Sequence, residues 1–189
     1  MRVLGIAGSP RRGGNTDILL AEVMKGAASR GAKVKTIILS RLNIAPCQHC
    51  DSCLKTGRCK VKDDMQKVYD ELERADRIVL ASPLHFMGVT AQTKAMIDRC
   101  QALWVRKYVL KQPPLGSKRE RKGLFISVGA RKVANLFEPA LATVKSLFRT
   151  LDVTYSGELV FPGVDEKGAI AKNPDALKQA FLAGQGLVE

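Results

Sequence analysis

The sequence predicts an α/β fold in which a parallel sheet of five strands is covered by helices on both faces. Two observations support this prediction. Five short runs rich in Val, Ile and Leu alternate with segments of helical periodicity, as expected for β-α-β units. The 189 residues are 46% hydrophobic, which is enough apolar material for one core, so we expect a single domain over residues 1–189.

The chain begins with a predicted strand, a turn and a helix. Residues 2–7 form a short apolar run, a turn rich in Gly, Pro and Arg follows, and residues 16–29 have helical periodicity. Residues 33–39, rich in Val and Ile, predict the second strand. Residues 43–62 have no periodicity, and so long a structureless connection is uncommon unless it is functional or disordered. We expect this segment, which contains four cysteines, to be functional.

The remainder of the chain continues the alternation of helices and strands. Asp63 and Asp64 begin a predicted helix that ends near residue 74, because acidic side chains in a first turn interact favourably with the helix dipole. Asn173-Pro174 is a start signal for the last helix. The further strands are predicted at 77–82, 123–128 and 153–161, and the further helices at 91–103, 136–150 and 175–184. Residues 83–89 form a loop, and the basic residues 105–122 are predicted to be an exposed excursion.

The charge of the chain narrows the possible partners. Lys and Arg number 31 against 18 Asp and Glu, giving a formal charge of +13, so the basic surface is expected to attract an acidic partner. No zinc-finger or RNP-like motif is present, and the 5% aromatic content offers little for base stacking, which argues against nucleic acid. The apolar runs are too short to span a membrane and no export signal is visible, so a cytoplasmic location is expected.

The loop after the first strand is predicted to bind a phosphate group. Residues 8–16 contain three glycines, two hydroxyl side chains and two arginines, and they lead directly into a helix N-terminus. The loop lacks the Gly-Lys-Ser/Thr ending of a nucleoside triphosphate site and the G-x-G-x-x-G pattern of a dinucleotide site. A monophosphate is therefore the favoured ligand. The alternative is a tight connection without a ligand.

Three motifs make the sequence recognisable: G-S-P-R-x-x-G-N-T after strand one, S-P-L-H-F-M-G-V-T-A-Q-T-K after strand three, and I-D-R in the next helix. They resemble the NADPH-dependent FMN reductase family over residues 1–150. The resemblance implies a flavodoxin-like three-layer sandwich with strand order 2-1-3-4-5, bound FMN, NAD(P)H as a possible electron donor, and a homodimer or larger assembly. It assigns to the FMN phosphate Ser9, Arg11, Asn15 and Thr16. It assigns to the flavin ring Pro83, Leu84, His85, Phe86 and Gly88, and to the far edge of the ring Ser127 and Gly129.

The sequence departs from the family pattern at two positions. His85 stands where the family usually has Tyr, so an imidazole either donates a hydrogen bond or a proton to reduced flavin or only fills space. His85 is accordingly the candidate catalytic residue. Gly129-Ala130 stands where relatives often have two glycines.

Four cysteines lie within thirteen residues of one another, at Cys47, Cys50, Cys53 and Cys59. This compact spacing suits a [4Fe–4S] cluster and, within such a chain, resembles the iron–sulfur flavoproteins, in which the cluster exchanges single electrons with FMN. The alternatives are a structural zinc site, free redox thiols or disulfides, and a cluster site left empty after aerobic preparation. Cys100 is predicted to be a buried core thiol.

These predictions lead to three hypotheses about function. The first is an FMN-dependent oxidoreductase that transfers electrons between a low-potential donor and an acceptor, with a [4Fe–4S] cluster relaying electrons to FMN as in the iron–sulfur flavoproteins that it resembles. Its basic surface would dock with an acidic protein such as ferredoxin. The second is an NAD(P)H-dependent FMN or quinone reductase without a cluster. The third is a basic binding module that has lost its flavin, against which the intact first and second loops argue.

Overall fold

The sheet has five parallel strands in the order β2-β1-β3-β4-β5, and the computed structural model describes all residues from 1 to 189. The strands are β1 (Arg2–Ala7), β2 (Lys33–Ile38), β3 (Arg77–Ala81), β4 (Lys122–Gly129) and β5 (Thr154–Pro162). Every pair of neighbouring strands is parallel, and one register shift interrupts the pairing of β4 with β5. The predicted fold class and strand order are confirmed.

Six helices surround the sheet: α1 (Asn15–Ser29), α2 (Met65–Arg74), α3 (Ala91–Arg99), α4 (Gln101–Trp104), α5 (Glu138–Thr150) and α6 (Pro174–Gly186). Helices α1 and α6 pack on one face and bury one hydrophobic cluster, whereas α2, α3 and α5 cover a second cluster on the other face. The alternation of side chains along β1 divides Val3 and Leu4 between the two clusters. None of the helices combines the length and the apolarity that crossing a membrane requires.

Burial along the strands follows their place in the sheet. All five residues of the central strand β3 are buried, as expected for a parallel strand covered on both faces. Edge strand β2 has four exposed residues at its beginning, and β5 has no buried residue. The apolar runs of the sequence therefore identified the central strands because those strands have no polar face.

The segment 105–122 differs from its prediction as an exposed excursion. Residues Val105–Val109 continue α4 as a π-helical turn, and Val105 and Leu115 are buried. Arg121 is 2% exposed, and its guanidinium donates to the carbonyl oxygens of Ala75 (3.1 Å) and Leu115 (3.3 Å). Arg121 therefore anchors the segment to the core. Its N–H groups donate to backbone carbonyl oxygens that have no partner in a helix or strand.

Smaller differences lie at the ends of elements. Helix 91–103 of the prediction is divided into α3 and α4 at Cys100, and a 3₁₀ turn at Ala169–Lys172 was not predicted. Asn173 caps α6 as predicted, because its side-chain oxygen accepts a hydrogen bond from Ala176 N (3.0 Å). Residues 43–62 contain no helix or strand, as predicted.

The topology places all the candidate loops at one edge of the sheet. The loops after β1, β3 and β4 and the cysteine segment after β2 all follow the carboxyl ends of parallel strands. In open sheets of this type ligands bind beyond those ends, near the point where the strand order reverses. Here the order reverses between β1 and β3.

Candidate cofactor site

A cavity of about 270 Å³ lies where β1, β3 and β4 end. It is lined by the first loop, the loop after β3, the end of β4 and the segment after β5. The predicted site residues in its lining are Ser9, Arg11, Asn15, Thr16, Pro83, Leu84, His85 and Gly129. The predicted residues Phe86, Gly88 and Ser127 are outside the lining. The structure thus brings three sequence-distant loops to one cavity.

The first loop begins at Gly8, a position that leaves no room for a side chain. A Cβ atom at Gly8 would lie 2.0 Å from Thr93 Oγ1, so the loop passes directly against the beginning of α3. Ser9 Oγ accepts a hydrogen bond from Arg11 N (3.1 Å) and thereby closes the turn. Asn15 and Thr16 form the first turn of α1, where the backbone N–H groups have no helical acceptor. These donors and the positive end of the helix dipole suit an anion.

The Asn15 side chain makes two hydrogen bonds within the protein. Its Nδ2 donates to Glu166 O (2.8 Å), and its Oδ1 accepts from Ile170 N (3.1 Å). The amide therefore joins the first loop to the segment after β5. The side chain that the sequence assigned to the phosphate is thus already engaged within the protein. Arg11, by contrast, has an exposed guanidinium that donates only to Asp165 O (3.3 Å).

Two buried hydroxyl groups that sequence reasoning missed hold the first two loops together. Thr90 Oγ1 donates to Gly8 O (2.6 Å), and it also accepts from Thr93 N (3.3 Å) as the cap of α3. Ser82 Oγ accepts from Thr90 N (3.0 Å) and donates to Pro83 O (3.1 Å). The available signal was a threonine immediately before the predicted helix 91–103, which is a favoured capping residue.

The loop after β3 ends in a tight turn whose two central residues have left-handed backbone angles. His85 and Gly88 exchange both backbone hydrogen bonds (2.9 and 3.0 Å), and Phe86 and Met87 between them have φ values of 50° and 63°. Such turns normally use Asn-Gly, so this backbone is strained. The Phe86 side chain at this turn is fully exposed, and the preceding residue, exposed His85, lines the cavity.

The side chain of Ser127 lies below the cavity rather than on it. Ser127 is 0% exposed, and its Oγ atom has no hydrogen-bond partner. The residues that follow it, Val128, Gly129 and Ala130, line the cavity on this side. A Cβ atom at Gly129 would lie 3.1 Å from Leu84 Cδ1, so the two loops approach each other closely at this point.

The four clustered cysteines line a second, small cavity of about 30 Å³. None of them forms a disulfide, and no three His, Cys, Asp or Glu side chains are arranged to hold a metal ion. Burial raises the pKa of the Cys53 thiol, and the charges of the neighbouring cysteines raise it further. A hydrogen bond with Ser52 lowers the pKa of exposed Cys50, and nearby Lys60 acts in the same direction.

Arg99, in the I-D-R motif at the end of α3, fastens both ends of the cysteine segment. Its side chain is 1% exposed and forms an ion pair with Asp63 (Nη1–Oδ2 2.6 Å, Nη2–Oδ1 3.1 Å). It also donates to Ala45 O (2.9 Å) and Val61 O (3.3 Å). Burial favours the neutral guanidine, but the hydrogen bond to Asp63 and its charge raise the pKa of Arg99, and Cys59 acts in the same direction, so the buried group is a cation.

Cys100 follows Arg99 but does not line the small cavity. It is 3% exposed, and burial raises the pKa of its thiol to about 12. The prediction of a buried core thiol is confirmed, since an unreactive neutral thiol in a hydrophobic cluster acts as a small apolar side chain.

Open cavities lie on both sides of the cysteine segment. One of about 680 Å³ is lined by Arg58, Lys60, Lys62 and Arg106 beside Cys59. The other, of about 660 Å³, lies between the end of α3 and α5 and is lined by Cys47 and Trp104. The first three cations form no ion pair, whereas Arg106 is paired with Glu73 (2.7 Å). The same cavity is also lined by Asp70 and Glu73, so its four basic and two acidic side chains leave a net positive charge beside Cys59.

The strand order, the first loop at a helix N-terminus and the cavity formed by three loops define a protein of the flavodoxin-like class. The family model for NADPH-dependent FMN reductases matches residues 1–159, and the chain belongs to this family. The resemblance inferred from the three motifs is confirmed.

Several relatives carry the name iron–sulfur flavoprotein. One from Archaeoglobus fulgidus is 40% identical over 131 residues, which are 69% of this chain and 63% of that protein. One from Methanocaldococcus jannaschii is 36% identical over 149 residues, which are 78% of this chain and 71% of that protein. One from Methanosarcina thermophila is 32% identical over 132 residues, which are 70% of this chain and 65% of that protein. The chain spans about half to two thirds of the length of most of the curated relatives it matches.

Solved structures share the fold over the whole chain. The NAD(P)H:quinone oxidoreductase from Methanothermobacter marburgensis has a TM-score of 0.75 at 17% identity, covering 100% of this chain and 96% of that one. A flavone reductase has a TM-score of 0.74 at 22% identity, covering 100% of this chain and 62% of that one. Likeness at such low identity concerns the fold alone.

Proposed function

We propose that the chain is an FMN-dependent oxidoreductase that transfers electrons between a low-potential donor and an acceptor, with a [4Fe–4S] cluster held by Cys47, Cys50, Cys53 and Cys59. The observation that carries the proposal is that the four thiols line one cavity, which lies at the end of helix α3, and that the loop-lined cavity lies at the beginning of the same helix. FMN would supply one- and two-electron chemistry and the cluster would exchange single electrons.

The donors of the larger cavity fit the phosphate end of FMN. The first turn of α1 offers unpartnered N–H groups, and the exposed Arg11 guanidinium adds a charged donor beside them. Ser9 and Thr90 fix the loop so that these donors converge. The chain would therefore bind the phosphate mainly through backbone groups that are already oriented, at little cost in conformational freedom.

The loop after β3 would cover the ring end of the cofactor. Pro83, Leu84 and His85 line the cavity, and the His85 imidazole makes no hydrogen bond within the chain. It is thus free to hold a proton or donate a hydrogen bond at the cavity mouth. Exposed Phe86 lies next to it on the strained turn and would exclude water from one side.

The chemistry of the second cavity fits an iron–sulfur group. Four cysteine sulfurs are the ligand set of such clusters, and Arg99 supplies a buried cation beside them. Thr90, the cap of helix α3, supports the first loop, and the helix ends at Arg99. At 1.5 Å per residue its nine residues span about 14 Å, so the two sites are neighbours across one short helix.

The spectrum and iron content of protein purified without oxygen test this proposal. We expect flavin absorption bands together with about four iron and four sulfide per chain. Cys50→Ala should abolish iron binding and leave FMN bound, whereas Cys100→Ala, the matched control, should keep both. Flavin without iron would leave the simpler NAD(P)H-dependent FMN or quinone reductase, and colourless protein that takes up no FMN would contradict the flavin site itself.

We further propose an acidic electron-transfer protein such as ferredoxin as the partner. The proposal is supported by the formal charge of +13 and by Arg58, Lys60 and Lys62, which form no ion pair near Cys59. Reduction by ferredoxin should slow as salt rises, and Lys60→Glu should slow it at low salt. The control Lys178→Glu, on α6 across the sheet, should have little effect. A rate that does not depend on salt would contradict docking by charge.

The resemblance also implies a homodimer or larger assembly, which stays a prediction. Sedimentation velocity of the purified chain measures its mass in solution and checks it.

A further inference from the structure

Arg99 has five N–H donors, and four of them are used in one plane. The two terminal nitrogens donate to Asp63 Oδ2, Asp63 Oδ1, Ala45 O and Val61 O, at distances between 2.6 and 3.3 Å. The fifth donor, Nε–H, is buried without a partner. The four N–H donors of the terminal nitrogens are therefore all satisfied by acceptors at the two ends of the cysteine segment.

An unpartnered donor on a buried cation is costly. Buried polar groups nearly always have a hydrogen-bond partner, and a charged donor loses more by desolvation than a neutral one. Arg99 lines the same small cavity as the four cysteines, and the other residues of that cavity include no acidic side chain except Asp51. Asp51 is exposed and lies 3.8 Å from His49 Nε2. The cavity also contains the side chains of Gln48, Ser52 and Gln101, but none of them accepts a hydrogen bond from Nε. Sulfur is the most abundant acceptor in the cavity, and the Cys59 sulfur is close enough to Arg99 to act on its pKa.

We propose that Arg99 is a positioning residue of the cysteine site: its terminal nitrogens fix the two ends of the segment, and its Nε–H donates to a sulfur atom of the group that the four cysteines bind. This inference rests on the cluster part of the proposed function. Because the ends are fixed at Ala45 and Val61, the loop between them has fewer conformations to lose when the thiolates converge on one ligand.

Lysine cannot replace Arg99 in this role. Its ammonium keeps the positive charge, but it is a single point donor and cannot hold Asp63, Ala45 and Val61 in one plane while directing another N–H elsewhere. Arg99→Lys therefore separates the charge of the residue from its geometry. Arg121→Lys is the matched control, since Arg121 is equally buried and all its contacts lie with backbone and Ser117 groups outside the cysteine segment.

The test is an anaerobic titration of the reduced, metal-free chain with Co²⁺, followed by thiolate-to-cobalt absorption. We expect Arg99→Lys to bind Co²⁺ about 10- to 100-fold more weakly than the wild type, which is the usual effect of removing a group that orients metal ligands. The control Arg121→Lys should bind as tightly as the wild type even where its melting temperature falls. In iron-loaded protein, Arg99→Lys should also lower the reduction potential, because hydrogen bonds to sulfur favour the reduced state.

The outcomes separate this inference from the proposed function. Wild-type affinity and potential in Arg99→Lys would overturn the inference alone, and so would an equal loss of affinity in the control. Wild-type protein that binds neither cobalt nor iron would overturn the cluster proposal and this role together. If Arg99→Lys does not fold, Asp63→Asn removes the ion pair but keeps the guanidinium, and undiminished Co²⁺ affinity in that variant would overturn the inference.

Discussion

Asn15→Ala tests whether the first loop is supported by a side chain that sequence reasoning assigned to the phosphate. The substitution removes the hydrogen bonds to Glu166 O (2.8 Å) and from Ile170 N (3.1 Å). The Ile170 N–H is left unpartnered at a buried position, which costs about 1 to 3 kcal/mol, and the lost bond to Glu166 adds about 1 kcal/mol. We expect a total loss of about 2 to 4 kcal/mol in the free energy of unfolding.

The effect should appear in the protein without FMN. For a chain of this length the loss corresponds to a melting temperature lower by about 4 to 16 °C, measured by circular dichroism on flavin-free protein. Hydrogen exchange should show faster exchange in the segment around Ile170, because its tie to α1 is broken. The matched control is Asn173→Ala, which removes a single capping bond and should cost about 1 kcal/mol without altering FMN affinity.

Unchanged stability of the flavin-free variant would contradict this prediction. If Asn15→Ala leaves the flavin-free protein as stable as the wild type and only weakens FMN binding, the side chain acts on the phosphate as the sequence resemblance implied. The hydrogen bonds to the segment after β5 would then contribute nothing measurable.

Three further predictions concern other contacts of the two sites. Gly8→Ala should destabilise by about 1 to 3 kcal/mol, because its Cβ would lie 2.0 Å from Thr93 Oγ1, and adding Thr93→Ala should recover part of the loss in urea unfolding; simple additivity would refute the contact. Met87→Gly should raise the melting temperature by about 2 to 4 °C by relieving a φ of 63°, and a lower melting temperature would show that the turn is unstrained. Burial opposes ionisation of Asp63, but Arg99 holds the pKa of this carboxyl below its ordinary value, so its stabilising contribution is present at neutral pH and is lost as pH falls below about 4. In Asp63→Asn the urea midpoint should fall less steeply over that acid range, and parallel curves would contradict the assignment.

The fold could be predicted from the sequence because its central strands are buried on both faces. Strands β1, β3 and β4 are nearly continuous apolar runs, and each is followed by a loop and a helix of clear periodicity. The first loop was recognisable because an anion site at a helix N-terminus is built from consecutive residues. Such features are formed by residues that are neighbours in the sequence, so the sequence is enough to predict them.

Contacts between distant residues could not be predicted in this way. Asn15 reaches Glu166 and Ile170 across 151 and 155 positions, so nothing near it in the sequence indicates that its amide is already engaged. Arg121 stands in a basic run that looks like a solvated surface, yet its guanidinium satisfies backbone carbonyls inside the fold. Composition indicates the charge of such a segment. Only the tertiary structure shows which of its basic side chains donate hydrogen bonds to buried backbone carbonyl groups.

Helix α3 explains why two such different sites occur together. At its beginning, the Thr90 hydroxyl supports the first loop through Gly8 O, and at its end the Arg99 guanidinium fastens both ends of the cysteine segment. A helix is stiff along its axis, so its length fixes the separation of these two anchoring points more firmly than the connecting loops could. The cation that fixes the cysteine segment therefore belongs to helix α3 and not to the segment itself, so the position of the segment depends on the helix that also supports the first loop.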